Sequence, residues 1–438
     1  MWSNRNARTS GVRAGRRLVG LAVAVTMVGA LGACGSDDGK AAGAGSGGGG
    51  GEAQSIKFRI TDANLKPAME ELAASFKEDT DIEVTVEAAP WVDYWTKLTT
   101  EMTSGNAPDV IEMYASRYPS FRDQLTDISD TEVNLDDYHA ADALVGGDGE
   151  IYGLPYAHNT NALLYNKTLL AKAGIPEEQL TWDPKTGGTL LEAAKKLTQG
   201  DVYGFPVFNN DQDLYLNMIA GNGGWVMDKD AEKFQYDAPE NVEVIEFITS
   251  LQNEYKVSPP GAEIAGSSAK VVDLFKAGRL GLFPSNSGRL NDIAKGAAAI
   301  KWGIMPYPQG PDGDVTIVAN VYASVYKKGK SQDAARQWAE FIAGPEGQEV
   351  LARDRLVRPA LKSAEQDWAK AWEAEGVDVS AYTDPDFRQQ SLPITKGYVA
   401  AKQKIDAGFL EIYLGNTDPA EGVKKVTEES QKLRDSAR

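Results

Sequence analysis

Residues 56–114 read IKFRITDANLKPAMEELAASFKEDTDIEVTVEAAPWVDYWTKLTTEMTSGNAPDVIEMY. Ile56-Lys57-Phe58-Arg59-Ile60 alternates apolar and polar side chains, the period of a half-buried strand. Leu65, Met69, Leu72, Ala73 and Phe76 then recur at helical spacing, with Asn64 placed to cap that helix. Ile82 to Val86 alternates again, Trp91 to Met102 is a second helical stretch, and Pro108 to Tyr114 is a third strand. The order β-α-β-α-β predicts a parallel sheet with helices on its faces. In such sheets ligands bind in the crevice at the carboxyl ends of the strands. Those ends are Thr61 to Asn64, Pro90-Trp91 and Tyr114 to Arg117, all aromatic or polar.

A second α/β pattern follows. Leu163-Leu164-Tyr165 reads as a strand, and Lys167 to Ala173 as a helix ended by Gly174. Further helices are expected at Leu190–Leu197, Leu214–Ala220, Val242–Tyr255 and Ser268–Lys276. Strands are expected at Gly204–Phe208, Leu280–Phe283, Trp302–Met305 and Thr316–Tyr326. Residues 331–343, 346–354, 363–374 and 421–435 read as helices, so the tail is largely helical. With 438 residues the chain exceeds what one core ordinarily fills, and two domains are expected.

The amino terminus is an address. Residues 1–17 hold five arginines and no acid, Leu18 to Ala30 is apolar but for Thr26, and Leu31-Gly32-Ala33-Cys34 closes the run. A basic region, a short apolar run and small residues make a secretory signal peptide, here 1–33. The apolar run is too short to span a bilayer. Arg16-Arg17 permits a twin-arginine export route beside the general one. Leu-Gly-Ala-Cys resembles a bacterial lipobox, which implies a lipid on Cys34. Residues 34–54, which include GSDDGKAAGAGSGGGGG at 35–51, form a flexible Gly/Ser-rich tether.

Lys and Arg number 45 and Asp and Glu 63, a formal charge of −18. Loss of the signal peptide removes five of the cations and makes the balance more acidic. That charge argues against nucleic acid and against electrostatic docking to anionic membranes. One cysteine and two histidines leave no internal disulfide and no Cys/His zinc site. The sequence lacks Gly-x-Ser-x-Gly and His-Glu-x-x-His. Gly221-Asn-Gly-Gly224 lacks the third glycine of a dinucleotide loop, and Asp228-Lys-Asp230 lacks the glycine and glutamate of a calcium loop. No cofactor, metal or catalytic residue is expected.

Gly149-Glu-Ile-Tyr-Gly-Leu-Pro-Tyr156, Leu163-Leu-Tyr-Asn-Lys167 and Ala173-Gly-Ile-Pro176 together resemble the extracellular solute-binding proteins of carbohydrate ABC importers. Gly105-Asn-Ala-Pro-Asp-Val110, Leu274-Phe-Lys-Ala-Gly278, Trp302 to Pro311 and Ala335 to Gly347, with its Trp338-Ala-Glu-Phe-Ile342 core, extend the likeness over residues 56–438. The resemblance implies an α/β, two-lobed, type II periplasmic-binding-protein fold. Each lobe would be a mainly parallel sheet flanked by helices, and a multi-segment hinge would join them. It implies crossings near Tyr156–Asn161, Ile304–Pro308 and Tyr326–Lys330. Lobe 1 would then be 55–158 plus 306–328, and lobe 2 would be 159–305 plus 329–438. It further implies a monomer that hands a sugar to permease subunits, outside the cytoplasmic membrane and held there by the lipid on Cys34.

A sugar offers C–H faces to aromatic rings and hydroxyls to planar polar groups. Side chains of those kinds at strand ends and loop starts are Asn64, Trp91, Tyr114, Ser116, Arg117, Tyr156, Asn159, Asn209, Gln212, Tyr215, Trp225, Ser285, Asn286, Asn320, Tyr322 and Arg358. Each has a plain alternative: Asn64 and Asn209 as helix caps, Arg358 in a salt bridge, any aromatic in the core. Trp95, Trp338, Trp368, Trp372 and Tyr165 are assigned to packing, and His158 to a structural role. A non-sugar solute, a secreted carbohydrate-active enzyme and a surface sensor or adhesin are the other readings.

Overall fold

A computed structural model describes residues 54–139, 144–146, 149–395 and 397–436. The signal peptide, Cys34 and the tether up to residue 53 lie outside the described residues. In chain order the elements are β1 (Ser55–Ile60), α1 (Lys66–Thr80), β2 (Glu83–Ala88), α2 (Trp91–Ser104), β3 (Val110–Tyr114), β4 (Leu154–Asn159), β5 (Asn161–Asn166), α3 (Lys167–Ala173) and α4 (Gly188–Leu197). Then come α5 (Leu216–Gly221), α6 (Pro239–Asn253), α7 (Gly261–Ile264), α8 (Ser268–Lys276), β6 (Leu282–Asn286), α9 (Leu290–Gly296), β7 (Trp302–Met305) and β8 (Val315–Val325). The tail holds α10 (Gln332–Ala343), α11 (Pro345–Arg353), α12 (Glu365–Glu373), α13 (Ser380–Thr383), β9 (Arg388–Ser391), α14 (Tyr398–Tyr413) and α15 (Pro419–Ser436).

The first sheet has the order β2-β1-β3-β8-β4, with β9 paired to β8. β1 lies parallel to β2 and β3, and β8 is antiparallel to β3 and β4. The second sheet is β6-β5-β7. Here the expected parallel arrangement does not hold, because β5 is antiparallel to both neighbours. The reason is the crossing. Only Thr160 separates β4 from β5, so β5 enters the second sheet running away from the first. β1, β2, β3 and β4 end on the space between the sheets, and so does β6 at Asn286. β5 starts beside it, and β8 passes it at Val321.

The chain returns between Met305 of β7 and Val315 of β8. The third crossing differs from the expected Tyr326–Lys330, and residues 329–438 do not form part of lobe 2 as a block. After β8, α10 packs on β1, β3, β4 and β8. Its Trp338 is fully buried against Phe58 and Phe76, with ring centroids 5.8 Å and 5.3 Å away. Burial of so large an apolar side chain outweighs any turn preference at 326–330. α11 packs on α1, α10 and α12. The chain reaches the second sheet again at α13, which contacts β5.

Other boundaries shifted for local reasons. Gly204 to Phe208 forms no strand: Gly204 and Phe205 bend, the nearest pairing is a single bridge at Tyr203, and Pro206 offers no N–H to a ladder. α1 starts one residue after Leu65 without a side-chain cap, so Asn64 does not cap it; the Asn64 N–H instead donates to Asp62. Buried apolar side chains run continuously from one sheet to the other through the crossing strands, and a smaller cluster sits under Tyr94 and Trp95. Among the described residues no helix is long and apolar enough to cross a membrane.

Candidate functional site

A cavity of about 670 Å³ opens between the two sheets beside the crossing strands. One wall comes from the first sheet: Thr61 and Asp62 after β1, Trp91 after β2, Glu112 and Tyr114 on β3, and Tyr156 and Asn159 on β4. The other comes from the second lobe: Asn209 to Gln212, Ser268, Asn286, Gly288 and Arg289, and Lys402, Asp406 and Leu410 of α14.

Trp91 follows Pro90 at the first position of α2, which throws its ring outward. Trp95 and Tyr114 meet that ring edge-on at 5.4 Å and 4.8 Å, while 41% of the side chain stays exposed. Such a ring is held in place with a face left for a ligand. Behind it, Glu112 is buried and accepts hydrogen bonds from Tyr156 Oη at 2.8 Å, from Tyr114 Oη at 3.0 Å, and from the Thr61 hydroxyl and N–H. Burial pushes the Glu112 carboxyl above its usual range, although these donors oppose the shift.

On the facing wall the turn Asp211–Tyr215 is wound as a single π-turn ahead of α5, with the Asn210 side chain capping the Asp213 N–H at 2.7 Å. The wider turn sets Asp211 and Gln212 on the cavity wall. The Gln212 amide nitrogen and the Asn209 carbonyl oxygen are buried without a protein partner. Lys402 forms an ion pair with Asp406 and lies 3.4 Å from Asp211. Burial alone would lower the Lys402 ammonium, but the two carboxylates raise it above its ordinary value. Burial would raise Asp211, yet Lys402 and the Gln212 N–H hold it below its ordinary range. Arg289 pairs with the buried Asp213 at 3.0 Å, and Asn286 donates to the same carboxylate at 2.7 Å. Among the described residues no group of three His, Cys, Asp or Glu side chains is placed to hold a metal ion.

Of the residues expected from the sequence, Trp91, Tyr114, Tyr156, Asn159, Asn209, Gln212 and Asn286 line this cavity. The others are elsewhere. Asn64 is exposed in the loop before α1. Ser116, Asn320 and Tyr322 border a separate void of about 10 Å³, and Asn320 also binds His158 at 2.6 Å. Arg117 lies over the Trp91 and Trp95 rings at 5.8 Å and 5.4 Å. Tyr215 is buried in a parallel stack with Phe409 at 4.3 Å. Trp225 packs against the core, its carbonyl bound by Asn241. Ser285 is buried, its carbonyl accepting from Tyr382. Arg358 takes its salt-bridge alternative, with Glu365, and donates to Thr160 at the crossing. Glu112, Arg289, Lys402 and Asp406 were not legible as wall residues. With 63 acids and 45 basic residues, charge alone singles none of them out.

Two sheets joined by crossing strands, with a polar and aromatic cavity between them, define a two-lobed solute-binding protein. The chain belongs to the bacterial extracellular solute-binding protein family, whose model matches residues 71–376. That membership places the protein outside the cytoplasm. It is similar to the diacetylchitobiose binding protein DasA of Streptomyces coelicolor, 23% identical over 94% of this chain and 97% of that one. It is also similar to the sn-glycerol-3-phosphate-binding periplasmic protein UgpB of Rhizobium meliloti, 29% identical over 44% of this chain and 45% of that one. The ABC substrate-binding protein Lmo0181 of Listeria monocytogenes, solved with cycloalternan, shares the fold with a TM-score of 0.78 at 23% identity, covering 87% of this chain and 99% of that one.

Proposed function

We propose that the protein captures a sugar or oligosaccharide between its lobes and delivers it to the permease of an ABC importer, without chemical turnover. One observation carries this reading: an edge-clamped, half-open Trp91 ring faces a wall of amide and carboxylate side chains across a cavity of about 670 Å³. That volume is within the usual range for small-molecule sites. A ring platform paired with planar donors and acceptors suits pyranose faces and their hydroxyls. Lobe 1 is taken as residues 54–159 with 315–377 and β9, and lobe 2 as 161–314 with 379–387 and 397–436. Ligand contacts to both walls exist together only when the lobes are close, so binding favours closure. Cys34 carries the lipid, and the 34–54 tether lets the body reach the transporter.

The relatives point the same way, since DasA is named for diacetylchitobiose and Lmo0181 was solved with cycloalternan. UgpB supports a second reading, a phosphorylated polyol. Intrinsic tryptophan fluorescence and melting temperature, followed against a panel of mono- and oligosaccharides, test the proposal. A saturable change with at least one sugar, recovered unaltered by chromatography, is expected. No response across the panel overturns it, and release of cleaved product would reassign the protein as an enzyme.

A further inference from the structure

We propose that the cleft admits only uncharged carbohydrate and rejects phosphorylated sugars, and that Asp211 and Asp406 impose this by occupying Lys402. The inference rests on the sugar reading above and deepens it to a substrate class.

Recognition of a phosphate or carboxylate needs an unpaired cation or a set of free N–H groups. The cations on the cavity wall are Arg289 and Lys402, against four carboxylates, those of Asp62, Glu112, Asp211 and Asp406. Each cation already faces carboxylate. Arg289 lies 3.0 Å from Asp213, which is fully buried and fixed from behind by Asn286. Lys402 has two carboxylates for one ammonium. Arg117 is not among the lining residues and lies over the Trp91 and Trp95 rings. The helix starts that open on the cavity also carry acids in their first turns, Asp93 in α2 and Asp211 and Asp213 before α5. An anionic group brought here would meet like charge in a partly dry site, which costs several kcal/mol. Hydroxyls suffer no such penalty, and the unpartnered Gln212 amide and Asn209 oxygen suit them.

The experiment compares matched pairs by calorimetry: maltose with maltose 1-phosphate, and N-acetylglucosamine with its 6-phosphate, together with sn-glycerol 3-phosphate, at one ionic strength. The wild type is expected to bind a neutral member at least about 100-fold more tightly than its phosphorylated partner. Asp406→Asn and Asp211→Asn, each isosteric and checked for an intact melting transition, take away one of the two carboxylates that surround Lys402. Each is expected to narrow that ratio by about tenfold or more. Binding of both members of a pair within fivefold, or of phosphorylated compounds alone, overturns the inference while leaving a carbohydrate-derived ligand in place. An unchanged ratio in both folded variants overturns the role of the two aspartates. No binding by any neutral or phosphorylated sugar removes the proposed function, and the inference with it.

Discussion

Replacing Trp91 by Ala removes the ring platform and little else. The ring is 41% exposed, which for a tryptophan side chain of about 250 Å² leaves roughly 100 Å² for a ligand to cover. At about 25 cal/mol per Å², covering all of it contributes up to about 2.5 kcal/mol, or about 70-fold in Kd. A ligand that covers half the face sets the lower bound near tenfold. Calorimetric titration with whichever sugar quenches or enhances the fluorescence should therefore show Kd rising between those limits. Trp91→Phe should fall between wild type and Trp91→Ala. The melting temperature should move little, because Trp91 starts α2 on the surface and its loss opens no internal cavity. An affinity within threefold of wild type in a folded Trp91→Ala protein would refute the platform.

Trp338→Ala should cost about 3–5 kcal/mol in urea unfolding, since the indole is fully buried among Phe58, Phe76 and Phe341. A loss under about 1 kcal/mol would contradict the packing of α10 on the first sheet. His158 is stacked on His139 with ring centroids 4.8 Å apart; burial first, then the Arg358 charge, holds its imidazole well below the ordinary value. The native fold therefore resists a proton that the unfolded chain accepts. Stability from this residue is fully present above about pH 6.5 and falls below it by about 1.4 kcal/mol per pH unit. A flatter acid limb of the melting-temperature profile is expected for His158→Gln, and an unaltered limb would remove His158 as a cause. Glu112→Gln places an amide among the Thr61, Tyr114 and Tyr156 donors and should destabilise by about 1–3 kcal/mol in the same denaturant assay.

Periodicity made the first lobe legible almost throughout. Met69, Leu72, Ala73 and Phe76 are the buried stripe of α1, and β7 covers Trp302–Met305 as read. The aromatic and amide residues at strand ends reached the cavity where the strand itself aims them, as with Tyr114 and Asn286. Those that failed sit one step off the aim. Tyr215 lies at the end of a π-turn and points into the core, and Trp225 is on a turn that faces α6. α14 escaped notice although Tyr398, Ala401, Ile405 and Ile412 follow helical spacing, and with it went Lys402 and Asp406. The antiparallel course of β5 was also beyond pattern reading, because alternation records burial on two faces and carries no direction.

Local chemistry along the chain was enough to establish alternating strands and helices and an acidic body, since each depends on composition or on residues within a few positions of one another. Three-dimensional packing was needed to bring Lys402 beside Asp211, Arg289 beside Asp213, and α10 onto the first sheet. Those pairings join positions far apart in the chain, and the burial that selects them exists only once both partners have folded.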